Sequence, residues 1–458
     1  MSHIHLIGIG GAGMSAIAVV LLQQNHTVSG SDVQESETTE RLRRLGAEIY
    51  TGHRAEQVQG AEVVVVSSAI PADNPEVRAA RARGISVVKR PAWLGRMMAG
   101  KRGIAVAGTH GKTTTTAMLA FMLSRAGLSP TYIVGGFVPQ LNSNAAAGRG
   151  DWFVIEADEY DRTFLSLKPE IAVITNIEWD HPDTYPRRAD LRRAFAGFAA
   201  LVPPHGQILI CGDDRGAQRL GAGLPAATTY GLARGNTWQA VNVTPNERGG
   251  FSFLVRRAGQ LITPKPVALS VPGRHNVQNG LAALAAASAA GLKVEQAGQF
   301  LSEFAGTGRR FEWKGEAGGV TVIDDYAHHP TEIKATLAAA RSRFGARPIW
   351  AVFQPHTFSR TRLLLAEFAA AFADADHAVI LDIFPARETD DGSIHSADIV
   401  ARMNHPDARH LGSIAGAAAY LQTRLSPGDV LITLGAGDGY KVGDAILQHF
   451  EGDMNHNL

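Results

Sequence analysis

A chain of 458 residues with a single cysteine, Cys211, cannot close an intrachain disulfide or assemble a thiolate metal cluster, and a reducing compartment suits it. No stretch approaches the ~18 uninterrupted apolar residues of a membrane span. Charge of one sign is missing as well, since 44 Lys and Arg stand against 43 Asp and Glu for a net charge of +1. That balance removes the general electrostatic case for nucleic acid or an anionic membrane as partner, so local pockets must carry the binding. The opening Met-Ser-His-Ile-His has neither a charged leader nor a long apolar one, which predicts an unexported, cytoplasmic protein. What is present is ordinary for a globular enzyme: 45% hydrophobic and 19% charged residues. Hydrophobic cores stop growing near ~250–300 residues, so about three domains are expected.

The most informative stretch runs from Gly103 to Thr116. An apolar, strand-like segment breaks at Gly108-Thr109-His110-Gly111, and a helix-compatible segment follows from Lys112. This is the order that a phosphate-cradling loop requires, because backbone amides at a helix N-terminus point at an anion. Lys112 would add a point charge on the β- and γ-phosphates, Thr113 would complete the shell of a magnesium ion, and Thr114 continues the helix start. Strict spacing asks for glycine where Val106 stands, so the loop is a shortened G-x-x-G-K-T form.

A second glycine loop lies nearer the N-terminus. The strand segment Ile4 to Gly8 leads through Gly8-Ile9-Gly10-Gly11-Ala12-Gly13 into a helix from Met14 to Gln24. The next strand, Thr27 to Ser31, ends at Asp32, near the offset of ~20 residues at which a dinucleotide fold puts its ribose-binding carboxylate. Strand candidates at Val63 to Ser67 and Ile85 to Val88 extend a parallel pattern. Alone, this fingerprint could serve NAD, another nucleotide diphosphate or close strand-helix packing. Paired with a lysine-bearing loop, it suggests a reacting triphosphate at one loop and a nucleotide-tagged substrate at the other.

Beyond the phosphate loop, acid and histidine collect at strand ends, with Glu156 after Trp152 to Ile155 and Asn176 to His181 after Ile171 to Thr175. Ligands gather beyond the carboxyl ends of strands in open α/β sheets, so Glu156 and His181 are candidate magnesium ligands beside Thr113. The segment from Thr237 to Val271 alternates apolar and polar residues and predicts antiparallel strands joined to the central sheet. Val271 to Asn279 reads as a loop opening a helix from Gly280 to Ala290, and Gly306-Thr307-Gly308 marks a boundary. A final doubly wound block carries Arg309-Arg310, Asp324 to Pro330, Phe353 to Arg362 and Asp382 to Glu388 at its strand-to-helix turns.

With these motifs the sequence resembles the Mur ligases, ATP-dependent amide ligases of peptidoglycan synthesis, over essentially its whole length. The resemblance implies a three-domain α/β architecture. A Rossmann-like domain, 1–99, would bind a UDP substrate, a P-loop domain, 100–306, would bind ATP, and a Rossmann-like domain, 307–458, would carry the amino-acid contacts. It implies that UDP-N-acetylmuramate and L-alanine are joined through an acyl phosphate with ATP and Mg2+, a tripeptide being the alternative acceptor. Carried over by position, Gly8, Gly10, Gly11, Gly13, Ser31, Asp32 and Ser67 would line the UDP-substrate site. Gly108 to Thr114 with His275, Asn276, Asn279, Arg310 and Asp325 would bind ATP, and Thr113, Glu156 and His181 would hold the metal. Lys112, His181, Arg310, His328 and Arg360 would be catalytic.

The chain departs from the family pattern at Glu159-Tyr160-Asp161-Arg162 and at Thr357, where many relatives have Glu-Ser-Asp-Gly and arginine. Some members also use a carbamylated lysine to hold a second magnesium, and no lysine lies between Lys168 and Lys265.

Overall fold

The computed structural model describes residues 2–456. Three sheets carry the fold, each extended through strand-to-helix crossovers. The first has five strands in the order Glu48–Thr51, Thr27–Asp32, His3–Ile7, Val63–Val66, Ser86–Lys89, all parallel. The order reverses at His3–Ile7, so the crevice at its carboxyl end opens over the turn Gly8 to Gly11. The following helix, Ala12–Gln23, buries Met14 through Leu21 without a break. A segment apolar all round belongs inside, and this one packs between sheets rather than on a surface.

In the second sheet the strand Arg102–Ala107 lies between Ile171–Ile174 and Trp152–Glu156 and is parallel to both. Thr131–Val138 and Ser143–Ala146 complete one side. Gln207–Cys211, Ala227–Gly231, Trp238–Pro245, Phe251–Arg257 and Gln260–Leu261 extend the other, and the last two pair antiparallel, as the alternating segment predicts. The helix Lys112–Arg125 buries Thr113 through Leu123. Cys211 is buried in this sheet, and burial pushes its thiol up to about 11, which makes it a small core residue and an inert one.

The third sheet runs Glu312–Ala317, Val320–Asp325, Val430–Leu434, Ile349–Phe353, His377–Leu381, Ala408–Gly412, antiparallel only at its first pair. Side chains alternate across it as the period of two demands. Ile323, Ala351, Phe353, Ile380 and Ile432 fill one face, and Val322, Trp350, Val352, Val379 and Leu431 fill the other. Both faces are covered, as the near-continuous apolar strands require.

The chain divides into two compact units, one of Met1–Asn242, Phe253–Val267 and Gln278–Phe304, the other of Val243–Ser252, Ala268–Val277 and Ala305–Leu458. One sequence expectation is corrected. The helix expected from Gly280 begins at Arg274 and runs to Ala289. Gly273, at φ +93°, makes the turn by itself, and the Asn276 backbone N–H donates to the Gly273 carbonyl at 3.1 Å while its side chain donates back to the Pro272 carbonyl at 2.7 Å, so the polar run after it is already helical. His275, Asn276 and Asn279 therefore stand on helical turns, not on a loop. Among the described residues no helix is long and apolar enough to cross a membrane.

Candidate active site

The loop Gly108 to Gly111 is built on two backbone conformations that side chains disfavour. Gly108 has φ +140° and Gly111 has φ +80°. A Cβ on Gly108 would collide with the Thr175 hydroxyl, and one on Gly111 would lie 2.5 Å from the Asn279 side-chain oxygen. Sequence spacing finds these glycines because they are local. Their neighbours come from distant strand ends: the Thr109 amide donates to the Asn176 carbonyl at 3.1 Å and the His110 amide to the Asn176 side-chain oxygen at 2.8 Å. His110 Nε2 pairs with Glu178 at 2.8 Å, and the Thr109 hydroxyl donates to the Glu178 carbonyl at 2.8 Å.

Lys112 opens the helix and folds back over the loop. Its ammonium donates to the carbonyls of Gly108 and Thr109 at 2.6 and 3.2 Å and to both carboxylate oxygens of Glu159 at 3.0 and 2.9 Å. Burial opposes the charge on Lys112, but Glu159, Asp158 and Glu156 outweigh it and hold the ammonium above its ordinary range. Burial likewise opposes ionisation of Glu159, and Lys112 with His181 reverses that, holding the carboxyl below its usual range. His181, at φ +53°, brings Nε2 to 3.6 Å from the same carboxylate. The Tyr185 hydroxyl donates to the Glu159 carbonyl at 2.6 Å, fixing the backbone from which this side chain springs. Beside the pair, the Thr113 hydroxyl donates to Glu156 at 3.1 Å and the Gly135 amide donates to the other Glu156 oxygen at 2.7 Å.

At the first glycine loop the wiring differs. Gly8 and Ile9 donate their amides to the Ser31 carbonyl at 2.8 and 3.0 Å. The Asp32 carboxylate accepts from the Gly10 amide at 2.9 Å and from Val33 at 2.8 Å. Ser67 lies against Gly8, and Arg90 crowds Gly13 while donating to Thr163 at 3.2 Å. Ser31, expected at this surface, is fully buried, and its hydroxyl donates to Glu76 at 2.7 Å. Glu76 also pairs with His5 at 3.0 Å and His53 at 2.7 Å, so Ser31 belongs to a buried polar network behind the loop.

The second unit gathers its own set. Arg309 pairs with Asp324 at 2.8 Å, donates to the carbonyls of Gly435 and Gly437, and lies over the rings of Tyr326 and Tyr440. Those contacts make it structural, whereas Arg310 reaches Glu332 at 4.0 Å. Asp325 accepts the amides of Phe311 at 2.7 Å and Ala327 at 2.8 Å, and burial pushes its carboxyl up to about 6. Burial lowers His275 to about 4 against the pull of Glu332, so its ring is neutral at pH 7.

His328 Nδ1 donates to the Tyr326 carbonyl, 3.0 Å away, and its ring meets that of His356 edge-on at 5.8 Å. Arg360, buried on the short helix Phe358–Leu363, meets His356 Nδ1 at 3.2 Å. Thr357, at φ +68°, caps that helix, and Phe384 stacks on His356.

Three family models cover the chain: the Mur ligase catalytic domain over residues 3–102, the middle domain over 106–287 and the glutamate ligase domain over 309–437. The chain belongs to the Mur ligase family. A UDP-N-acetylmuramate--L-alanine ligase from Roseiflexus castenholzii is 45% identical to this Mur ligase over 97% of both chains, and one from Salinibacter ruber is 44% identical over 98% of this chain and 95% of that one. Among solved structures, the crystal structure of UDP-N-acetylmuramate-alanine ligase MurC from Thermotoga maritima matches with a TM-score of 0.84 at 29% identity, covering 99% of this chain and all, 100%, of the other. A murein peptide ligase from Psychrobacter arcticus matches at 0.73 and 26% identity over 98% and 99%.

Within this Mur ligase, sequence reasoning missed Glu159, Gly135, Tyr185, His356 and Glu332 as members of these clusters. Glu159 alone carried a signal, being an acid three residues after Glu156 in a segment that departs from the family pattern. Gly135 and Tyr185 are joined to their clusters by tertiary contact, whereas His356 and Glu332 each sit four residues from the partner they meet, Arg360 and His328.

Proposed function

We propose that this Mur ligase is the ATP-dependent enzyme that joins L-alanine to UDP-N-acetylmuramate, releasing ADP and phosphate. The observation that carries the reading is that relatives matching it from end to end at well over a third identity share that one activity in their names. The phosphate loop supports it from below. It offers amides, one lysine and a ring of oxygen donors, and no side chain in the loop is set up as a nucleophile.

The muramate carboxylate attacks the γ-phosphate of ATP, forming a C–O–P bond as the bond to ADP breaks. The amine of L-alanine then attacks the acyl carbon, phosphate leaves, and the amine gives up a proton. In such chemistry a protein mainly positions groups and neutralises charge. We assign Gly108 to Thr114 to ATP, with Lys112 and the amides of Gly111, Thr113 and Thr114 toward the phosphate oxygens, while Thr109 and His110, whose amides are engaged by Asn176, hold the loop in shape. Asn279, seated against Gly111, keeps the loop in shape. We assign His275, Asn276, Arg310 and Asp325 to the nucleotide as well.

Thr113 and Glu156 are hard oxygen donors already in contact, so they fit magnesium, with His181 as the third ligand. Bound there, the ion would spread the charge that develops on the phosphates. Since His181 turns Nε2 to Glu159, it would ligate through Nδ1, the arrangement in which a carboxylate orients a metal-binding imidazole.

Gly8, Gly10, Gly11, Gly13, Asp32 and Ser67 are assigned to the UDP substrate, with Ser31 supporting the strand from behind. His328 and Arg360 are assigned to the incoming amino acid. We assign 1–99, 100–306 and 307–458 to UDP substrate, ATP and amino acid, a division supported by the spans of the three family models. A cytoplasmic location follows from the soluble substrates. Phosphate release from ATP and UDP-N-acetylmuramate, with L-alanine, with a tripeptide and with no acceptor, tests the reading. L-alanine should drive turnover, and release driven only by the tripeptide would overturn it.

A further inference from the structure

The feature left over from the chemistry is Glu159. It is 1% exposed, yet no step of the reaction needs it, and it occupies Lys112 with both oxygens at 3.0 and 2.9 Å. Around the ammonium the site is overloaded with negative charge. Glu156, Asp158 and Glu159 all act on Lys112, and His181 Nε2 lies 3.6 Å from Glu159. The ammonium is also turned into the mouth of the loop, donating to the Gly108 and Thr109 carbonyls, where the loop amides would otherwise meet a phosphate.

Two anions cannot both own one buried cation at close range, because like charges brought together in a low-dielectric site repel strongly. We propose that Glu159 is a placeholder anion: it holds Lys112 while the loop is empty and surrenders it to the triphosphate, so that nucleotide binding at this site is an exchange of one anion for another. This rests on the assignment of the loop to ATP. It goes further in naming the group that the nucleotide must displace.

The released carboxylate stays buried and needs a new partner. His181 Nε2 stands 3.6 Å from one of its oxygens, and the Tyr185 hydroxyl pins the backbone so that only the side chain need turn. Release therefore tightens the Glu159–His181 contact. Glu159 is a positioning residue, acting on the nucleotide through Lys112. The exchange lowers apparent affinity, since the nucleotide's gain is the difference between its own pairing with Lys112 and the one it breaks. In return, the empty protein carries no uncompensated buried lysine.

The test is calorimetric titration of the full-length protein with AMP-PNP in EDTA, which excludes any effect through the metal. Glu159→Gln keeps shape and one acceptor but removes the charge. It should bind AMP-PNP at least fivefold tighter than wild type while melting at a lower temperature without ligand. Glu159→Asp, which keeps the charge one methylene further back, should fall between and serves as readout if the glutamine variant folds poorly. The gain should vanish when Lys112→Met is added, because the competition is for Lys112. Unchanged or weaker binding in both Glu159 variants would overturn the exchange and leave Glu159 a structural partner of the lysine in every state. Failure of the underlying assignment looks different: Lys112→Met alone would then bind AMP-PNP as wild type does.

Discussion

The two glycine loops of the first unit share ingredients and differ in what they leave open. Both follow a parallel strand and lead into a buried helix, at Ala12–Gln23 and at Lys112–Arg125. In the first, the chain itself consumes the amides of Gly8, Ile9 and Gly10, through the Ser31 carbonyl and the Asp32 carboxylate. In the second, the amides of Thr109 and His110 are tied to Asn176, and the Lys112 ammonium is tied to an acid that lies outside the loop. One loop is closed on itself by its own strand end, while the other carries a cation held by a carboxylate from elsewhere in the chain. Each rests on a buried glutamate, Glu76 behind the first and Glu159 beside the second. The same fingerprint in sequence thus covers two physical devices.

The largest expected effect separates the devices by charge. Lys112→Met should lower kcat/KM by on the order of a few hundredfold, since losing ~3–4 kcal/mol of transition-state stabilisation costs about tenfold per 1.36 kcal/mol. It should also destabilise the fold by up to ~3–5 kcal/mol, because buried Glu159 loses its cation and keeps only His181 Nε2, 3.6 Å away, to face. Adding Glu159→Gln should restore most of the stability and none of the turnover, read by urea denaturation beside phosphate release. If the double variant is no more stable than the single one, the pairing contributes little and the contrast between the loops weakens.

Next in size are the glycines. Gly108→Ala would put a methyl into the Thr175 hydroxyl at φ +140°, whereas Gly8→Ala, at φ +79°, would meet Ser67 Cβ at 3.1 Å. Left-handed backbone costs an alanine roughly 1–2 kcal/mol in either place, and crowding adds more at Gly108, where the Thr175 hydroxyl and the Asn176 backbone block the methyl, than at Gly8, where Ser67 need give only slightly. The urea midpoint should therefore fall further for Gly108→Ala, and equal losses would contradict the packing described here.

The third test concerns what the first loop accepts. With both Asp32 oxygens engaged by amides, the carboxylate is occupied in closing the loop, so titration of the whole protein with NAD and with UDP-N-acetylmuramate should show binding of the second alone. Asp32→Asn can accept only one of those two amides well, and a lost hydrogen bond of about 1 kcal/mol predicts a fewfold to tenfold weaker UDP-substrate affinity. Tight NAD binding would mean that the loop serves the dinucleotide role left open by its glycine spacing.

Legibility followed the same division. Gly8, Gly108, Gly111, Lys112 and Thr113 are readable because a positive φ or a helix start is fixed by a few adjacent residues. Glu156 is readable because it ends a strand pointing at the loop. Glu159 and Glu76 were not, since what defines them is a partner 47 residues away in one case and, in the other, partners on three separate segments. Ser31 misled for a related reason: Ser29 and Ser31 both contact the His5–Glu76 network, so strand alternation carries the Ser31 hydroxyl to that face while its carbonyl serves the loop. The start of the helix at Arg274 was missed because a polar, asparagine-rich turn reads as loop, although Gly273 had already made the break.

The smallest effect expected is in acid. Burial raises the Glu76 carboxyl, but hydrogen bonds from His5, Ser31 and His53 together with the His5 charge outweigh it and hold the carboxyl below 4.5. A carboxyl depressed in the folded state binds fewer protons there than when unfolded, so stability rises with pH across the interval between the two values. Its contribution is fully present above about 4.5, the unfolded value, and is lost as pH falls through the folded one. Glu76→Gln removes this titration along with some stability at every pH. The quantity to compare is therefore the slope of the urea midpoint as pH falls below 4.5, which should be shallower in the variant, whatever its absolute level. His3, Glu62, Glu48 and Tyr50 lie near the network and remain in both proteins, whereas His5 and His53 pair with Glu76 itself, so the difference in slope reports Glu76 together with its two histidine contacts. Equal slopes would mean that Glu76 is as easily protonated folded as unfolded, and the first loop would then rest on packing with no ionic support behind it.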